Sequence, residues 1–196
     1  MIVTLIRHGE TVWQSEGRYQ GVSDLPLSPE GAAKLRPDAG FSPALVYVTR
    51  LCRTAQTAAI LFPRARQSCV PGLEEMDFGA FEGKNYRELN ARADYRAWVD
   101  GGCLGTCPGG ESKEQFCRRA CAAFERLMEE NAGLPELTIV AHGGTLMAVL
   151  ERFGRPERAY FDWHCPCGCG FRLSTEDWER DRALRLLEPV CFTGGT

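Results

Sequence analysis

The chain has 196 residues, of which 44% are hydrophobic and 25% charged, and its formal net charge is −3. These values are typical of one globular domain with a substantial core, and they give no indication of nucleic-acid or bulk membrane binding. No apolar run reaches the roughly 18 residues of a transmembrane helix. Because no signal-peptide pattern precedes the first strand, we expect a single cytoplasmic domain over residues 1–196.

The first predicted element is a buried strand over residues 2–6, and it ends in Arg7, His8 and Gly9. In open α/β sheets, ligands bind at the carboxyl edge of the strands. A histidine held there can act as a nucleophile, and the adjacent arginine can hold an anion. Ser28 and Pro29 then predict the N-cap and first residue of a helix that ends near residue 36.

A second strand is predicted over residues 45–48, and it leads into a helix over residues 50–61. Arg50 and Arg53 lie at the start of this helix, where acidic residues are normally preferred. Arginines in that place indicate a bound anion, because a planar guanidinium can hold two phosphate oxygens at once. A solvated surface position suits Arg50 better than Arg53, so Arg53 is the stronger candidate for binding the anion.

The middle of the chain combines short elements with carboxylates. The patterns predict a strand over 68–70, a loop over 79–83 and helices over 86–91 and 95–99. Several carboxylates precede or lie in the loop, among them Glu75. Phosphoryl transfer needs a group that protonates the leaving alkoxide, and burial can raise the pKa of a carboxyl enough for that task. The segment from about residue 84 to 110 is expected to cap the pocket.

The C-terminal half repeats the pattern of the first strand. After a long helix over 111–131, a buried strand over 137–141 ends in His142 and Gly143, and a helix over 145–153 follows. If the two histidine-bearing strands are neighbours, both imidazoles meet at one edge, and the helix start favours an anion; a satisfied core histidine is the alternative for His142. Late strands are predicted over 169–173 and 183–187. This alternation predicts a three-layer α/β/α sandwich with a mainly parallel sheet and an antiparallel edge.

The ten cysteines are many for such a chain. Without a signal peptide, and in a chain that can build a core, reduced thiols are favoured over a disulfide framework. The densest group consists of His164, Cys165, Cys167 and Cys169. Zinc is an alternative for this group, with Cys103 and Cys107 as further ligands, but the Cys-x-Cys-x-Cys spacing is tighter than in structural zinc sites. We therefore predict no metal site.

Together these segments resemble the phosphoglycerate mutase-like branch of the histidine phosphatase superfamily. The matching motifs are LIRHGET at 5–11, RTAQTA at 53–58, EMDFGAFEG at 75–83 and VAHGG at 140–144. They occur in the family's order between residues 2 and 153. Thr49 stands where relatives often have serine, a difference we treat as tolerated.

The resemblance implies a role for each matched residue. His8 would be the nucleophile that forms a phosphohistidine, Glu75 the general acid and then the base, and His142 a catalytic group that stabilises the transferred phosphoryl. The implied phosphate ligands are Arg7, Gln14, Arg53 and Gly143. Gln14 replaces an asparagine of many relatives and would still donate an amide N–H. No metal and no cofactor is needed, because arginine and histidine supply the positive charge.

Three functions remain open. The length leaves little room for the segments with which phosphoglycerate mutases close their pocket, so we favour a phosphomonoesterase for a small phosphorylated metabolite, acting as a monomer or homodimer. Residues 76–79 and 108–112 resemble the α-ribazole phosphatase-like group of cobalamin synthesis. The alternatives are phosphoglycerate mutase-type transfer and a catalytically silent phosphate-ligand binding protein. A silent relative would have lost the nucleophile or its arginines, and here both are present.

Overall fold

A seven-stranded sheet forms the centre of the computed structural model, which describes residues 1–194. In chain order its strands are β1 (Ile2–Arg7), β2 (Leu45–Val48), β3 (Arg66–Cys69), β4 (Glu136–Ala141), β5 (Gly154–Arg155), β6 (Cys169–Ser174) and β7 (Leu184–Cys191). The spatial order is β3-β2-β4-β1-β6-β7-β5. Only β6 runs against its neighbours within residues 1–194, so the sheet is mainly parallel, as predicted.

Helices cover both faces of this sheet. They are α1 (Val12–Ser15), α2 (Pro29–Lys34), α3 (Cys52–Leu61), α4 (Tyr86–Leu89), α5 (Ala93–Asp100), α6 (Lys113–Glu130), α7 (Gly143–Phe153) and α8 (Trp178–Asp181). Short 3₁₀ turns occupy Gly79–Phe81 and Tyr160–Trp163. None of the helices described for residues 1–194 is both long and apolar enough to cross a bilayer.

The core consists of one apolar layer on each face of the sheet. Leu5 and Ile139 pack with α6 and α7 on one face, whereas Ile6 and Val140 pack with α3 on the other. Strands that are buried on both faces have continuous apolar sequences, which explains the sequences of β1 and β4. The predicted three-layer α/β/α sandwich is therefore confirmed.

A third cluster joins the segment between α4 and α6 to the rest of the domain. Tyr95 and Trp98 of α5 pack on Phe81 and on Phe116 of α6. Tyr86, by contrast, is 61% exposed. This packing places the predicted 84–110 insert against the domain, with Tyr95 in the core.

The sheet departs from prediction at one edge. The late strands β6 and β7 pair antiparallel as expected, but the two-residue β5 forms the outer edge beside β7. A strand of two residues has no periodicity that a sequence pattern can detect.

Cys169 and Cys191 lie opposite each other on β6 and β7 and form a disulfide, so the expectation of reduced thiols is wrong for this pair.

Strand register brings the ends of three parallel strands together. Arg7 of β1 lies opposite Ala141 of β4, and the backbone N–H of His8 donates to the Ala141 carbonyl at 3.0 Å. On the other side of β4, Val48 of β2 lies opposite Val140. The residues that follow these strands therefore share one edge of the sheet.

Candidate active site

Two buried histidines face each other at this edge. His8 follows β1 and His142 precedes α7, and their ring centroids are 5.2 Å apart with an interplanar angle of 64°. The two strand–histidine–glycine segments are neighbours in the sheet, and the imidazoles meet as the sequence pattern predicts.

The hydrogen bond of His8 determines which of its nitrogens is free. Its Nδ1 lies 2.6 Å from the Gly9 carbonyl oxygen, which can only accept, so Nδ1 carries the proton. Burial, and then the positive charge of Arg53, hold the pKa of His8 well below its ordinary value. The ring is therefore neutral at pH 7, and Nε2 presents an unshared electron pair, as a nucleophile requires.

Arg53 lies in the first turn of α3 with its side chain fully buried. Its Nη1 donates to the Ser23 carbonyl at 2.8 Å and its Nη2 to the Gly21 carbonyl at 2.7 Å. Thr57, one turn later, accepts the Gly9 N–H at 2.9 Å, which holds α3 against the loop of His8. A buried guanidinium bound only to neutral carbonyls retains its full positive charge for a ligand.

Arg7 ends β1 beside the start of α7. Its Nη1 donates to the Cys165 carbonyl at 2.8 Å and lies 3.2 Å from His164 Nε2. A Cβ at Gly143 would lie only 3.2 Å from Arg7 Nε, so the glycine keeps this approach open. Gly143 is also the first residue of α7, where a backbone N–H has no helical acceptor.

Three buried nitrogens around His8 have no hydrogen-bond partner among residues 1–194: Arg7 Nε, Arg53 Nε and His142 Nδ1. In the same described part of the chain, neither arginine has a carboxylate within salt-bridge distance. The two arginine nitrogens are N–H donors; unpaired buried donors are costly, and an anion would satisfy them. The arrangement is that of an anion site beside a neutral histidine.

Glu75 adds a buried carboxyl to this site. Its Oε2 accepts the Gly144 N–H at 2.9 Å and its Oε1 accepts the Met76 N–H at 3.0 Å. A Cβ at Gly144 would overlap Oε1, so the glycine admits the carboxyl to the start of α7. Burial raises the pKa of Glu75, and the two N–H donors only partly oppose this. The carboxyl therefore keeps its proton to a higher pH than an exposed glutamate does.

The two remaining sequence candidates occupy different surroundings. Gln14 accepts the Thr11 N–H at 3.1 Å through Oε1, which leaves its amide NH₂ as the donating end, so phosphate binding by Gln14 stays a prediction. The Arg50 side chain is 68% exposed and lies 3.5 Å from Glu74. Because α3 begins at Cys52 rather than at residue 50, Arg50 precedes the helix and lies outside the anion site.

An apolar cavity of about 250 Å³ opens beside Glu75. Its aromatic lining consists of Tyr19, Phe78, Trp98, Tyr160 and Phe161, and Lys113 is its one basic side chain. Lys113 Nζ lies 4.1 Å from the Tyr160 ring centroid. Sequence analysis missed Tyr160, Phe161 and Lys113, because they come from a 3₁₀ turn and a helix start that carry no motif.

The cysteine group lies next to Arg7 but does not form a ligand set. Within residues 1–194, no three His, Cys, Asp or Glu side chains converge as metal ligands. Cys169 is committed to its disulfide with Cys191, and Cys167 Sγ lies 3.6 Å from Gln14 Oε1. The zinc alternative therefore has no support in this arrangement.

Comparison with known proteins places this chain in a family. A Proteus mirabilis protein named "Probable phosphoglycerate mutase GpmB" is 34% identical over 162 residues, which are 76% of this chain and 73% of that protein. A Gloeobacter violaceus 2,3-bisphosphoglycerate-dependent phosphoglycerate mutase 2 is 28% identical over 162 residues, 76% of this chain and 74% of that one.

Solved structures extend the likeness to the whole fold. The α-ribazole phosphatase from Shigella flexneri matches with a TM-score of 0.81 and 26% identity. The match covers 100% of this chain and 99% of the Shigella chain. A Thermus thermophilus protein, TTHB049, matches with a TM-score of 0.73 and 29% identity. This match covers 100% of this chain and 98% of the Thermus chain. The model of the histidine phosphatase superfamily, branch 1, matches residues 3–184. The chain thus belongs to the histidine phosphatase superfamily.

Proposed function

We propose that the protein is a phosphomonoesterase that hydrolyses a small phosphorylated metabolite through a phosphohistidine at His8. One observation carries this proposal: a neutral His8 with a free Nε2 lies among buried, unpartnered nitrogens of Arg7, Arg53 and His142. This is the arrangement that in-line transfer of a phosphoryl group to nitrogen needs.

In the first step, Nε2 of His8 attacks phosphorus and the bond from phosphorus to the ester oxygen breaks. Glu75 gives its proton to the departing oxygen, so the product leaves as an alcohol. Arg7, Arg53, His142 and the Gly143 N–H hold the phosphoryl oxygens, whose charge spreads in the transition state; Gln14 is proposed as a further donor.

In the second step, the Glu75 carboxylate takes a proton from a water molecule while the oxygen of that water attacks phosphorus. The N–P bond then breaks, inorganic phosphate leaves and His8 returns to its neutral form. Glu75 thereby regains the proton that the first step consumed, which makes the cycle complete without another acid.

The cavity beside Glu75 supports an ester whose alcohol part is largely apolar or aromatic. A phosphoglycerate would place its carboxylate there, and 2,3-bisphosphoglycerate a second phosphate as well, whereas Lys113 is the one cation of the lining. The Shigella protein is an α-ribazole phosphatase, and α-ribazole carries an aromatic bicycle. We therefore propose α-ribazole 5′-phosphate or an ester of similar shape as the substrate.

A substrate comparison tests this choice. We expect kcat/KM for α-ribazole 5′-phosphate to exceed that for 3-phosphoglycerate by about 100-fold, because burying a ring is worth about 2–3 kcal/mol. Phosphate release and isomerisation to 2-phosphoglycerate are measured separately, with 2,3-bisphosphoglycerate present. Faster isomerisation than hydrolysis would support the mutase alternative, for which the phosphoglycerate mutase relatives argue. No turnover of any ester, para-nitrophenyl phosphate included, would support a silent binding protein.

Glu75→Gln separates proton donation from phosphate binding. Because an alkyl phosphate has a poor leaving group, we expect its single-turnover phosphorylation rate to fall by about 10²–10⁴-fold, and that of para-nitrophenyl phosphate much less. In the native chain the alkyl rate should fall as pH rises through the raised pKa of Glu75, since the acid form is then lost.

The control for Glu75→Gln is Glu74→Gln, which changes the neighbouring carboxylate that faces Arg50 and Arg119. This variant should retain the native ratio between the two substrates. An equal loss for both esters in Glu75→Gln would argue that Glu75 only shapes the pocket.

A further inference from the structure

The two nitrogens of His142 have different surroundings. Its Nε2 lies 2.9 Å from the hydroxyl oxygen of Thr49, the residue that follows the neighbouring strand β2. Its Nδ1 is buried and has no partner in the described residues 1–194. Nδ1 is therefore the nitrogen available to an oxygen of a phosphoryl group held by His8.

The charge state of His142 limits what Nδ1 can do. Burial, followed by the positive charge of Arg53, holds the pKa of His142 well below its ordinary value. A neutral imidazole has a single N–H. If the proton is on Nδ1, the ring donates to the phosphoryl oxygen. If it is on Nε2, Nδ1 turns an electron pair toward an anionic oxygen, which is repulsive.

The hydroxyl protons around Thr49 decide between the two forms. The Thr54 hydroxyl donates to the Leu51 carbonyl at 2.9 Å and accepts the Thr49 N–H at 3.1 Å. The Thr49 oxygen accepts the Leu51 N–H at 3.3 Å. The proton of Thr49 is then free to point at His142 Nε2, which at 2.9 Å is closer than the Thr54 oxygen at 3.2 Å.

We propose that Thr49 is a positioning residue, whose hydroxyl donates to Nε2 of His142 and so keeps the ring proton on Nδ1, where it is donated to the transferred phosphoryl group. This inference rests on the proposed function, because it needs a phosphoryl group between His8 and His142. It assigns a neutral histidine, rather than an imidazolium, as the third donor beside the two arginines.

Thr49→Val removes the hydroxyl and keeps the branched shape. We expect the single-turnover phosphorylation rate to fall by about 10–100-fold, the usual cost of leaving one buried polar group unpaired. Thr49→Ser should recover most of the rate. Thr138→Val on β4 is the matched control, since Thr138 is buried and its hydroxyl has no partner within residues 1–194; it should retain the native rate.

A spectroscopic readout distinguishes this role from a purely structural one. The ¹⁵N shifts of His142, assigned by comparison with His142→Gln, report which nitrogen is protonated when inorganic phosphate is bound. We expect a protonated Nδ1 and an accepting Nε2 in the native chain. A protonated Nε2 would overturn the inference, even if Thr49→Val fails to fold.

The kinetics distinguish a failure of the role proposed for Thr49 from a failure of the proposed function. If the native chain turns over esters and Thr49→Val matches Thr138→Val, the role of Thr49 is wrong and the proposed function stands. If the native chain has no turnover and phosphate leaves the His142 shifts unchanged, the proposed function itself fails, and this inference fails with it.

Discussion

His8→Ala is expected to lower kcat/KM by about 10⁵–10⁶-fold, as removal of a covalent nucleophile does in other enzymes. Nε2 of His8 is the one nitrogen of the two that is free to attack, because Nδ1 donates to Gly9. The steady-state rate with para-nitrophenyl phosphate measures the effect, since this ester depends least on the general acid.

His164→Ala is the matched control for that variant. The chain has three histidines, and His164 is exposed, 3.2 Å from Arg7. Its removal should change the rate little, because the Cys165 carbonyl still holds the Arg7 guanidinium. Equal activity of the native chain and His8→Ala would rule out His8 as the nucleophile.

Arg53→Met should cost about 10³–10⁵-fold in the rate of phosphoryl transfer, the range found for an arginine that stabilises the transition-state charge. Methionine occupies a similar volume, but it leaves the Gly21 and Ser23 carbonyls without their donor, so thermal stability should fall as well. Inhibition by inorganic phosphate should weaken in parallel, because the product makes the same contact.

Arg50→Met provides the comparison for Arg53→Met. Arg50 is three residues earlier, exposed and paired with Glu74. Exposed ion pairs contribute little, so stability and rate should both stay near native values. A similar loss of rate in the two variants would show that net charge, rather than the buried guanidinium, supports the reaction.

The centre of the sheet and the candidate site could be predicted because each depends on local patterns. The strands β1 and β4 are continuous apolar runs, and each ends at a histidine followed by glycine. Parallel pairing of two such strands brings the histidines together regardless of the conformation of the loops. Arg53 was predicted for a different reason, since a basic residue at a helix start opposes the helix dipole and indicates an anion.

Other features depend on contacts that sequence patterns do not carry. The wall of the cavity combines Tyr19, Lys113 and Tyr160, which are far apart in the chain and meet only after α6 and α7 pack. The contact of Thr49 with His142 depends on the register of β2 against β4. The helix α3 begins at Cys52 because Leu51 is extended at the N-cap, a difference of two residues that moves Arg50 out of the site.

The central claim is that the phosphoryl group is transferred to His8, and trapping this intermediate tests it most directly. Substrate labelled on phosphorus is mixed with the native chain, quenched within milliseconds in alkali and digested, and the label is then located by mass spectrometry. We predict an alkali-stable, acid-labile label on the peptide that contains His8, and no such label in His8→Ala. Rapid turnover by the native chain with the label on another residue, or with none at any quench time, would contradict the claim.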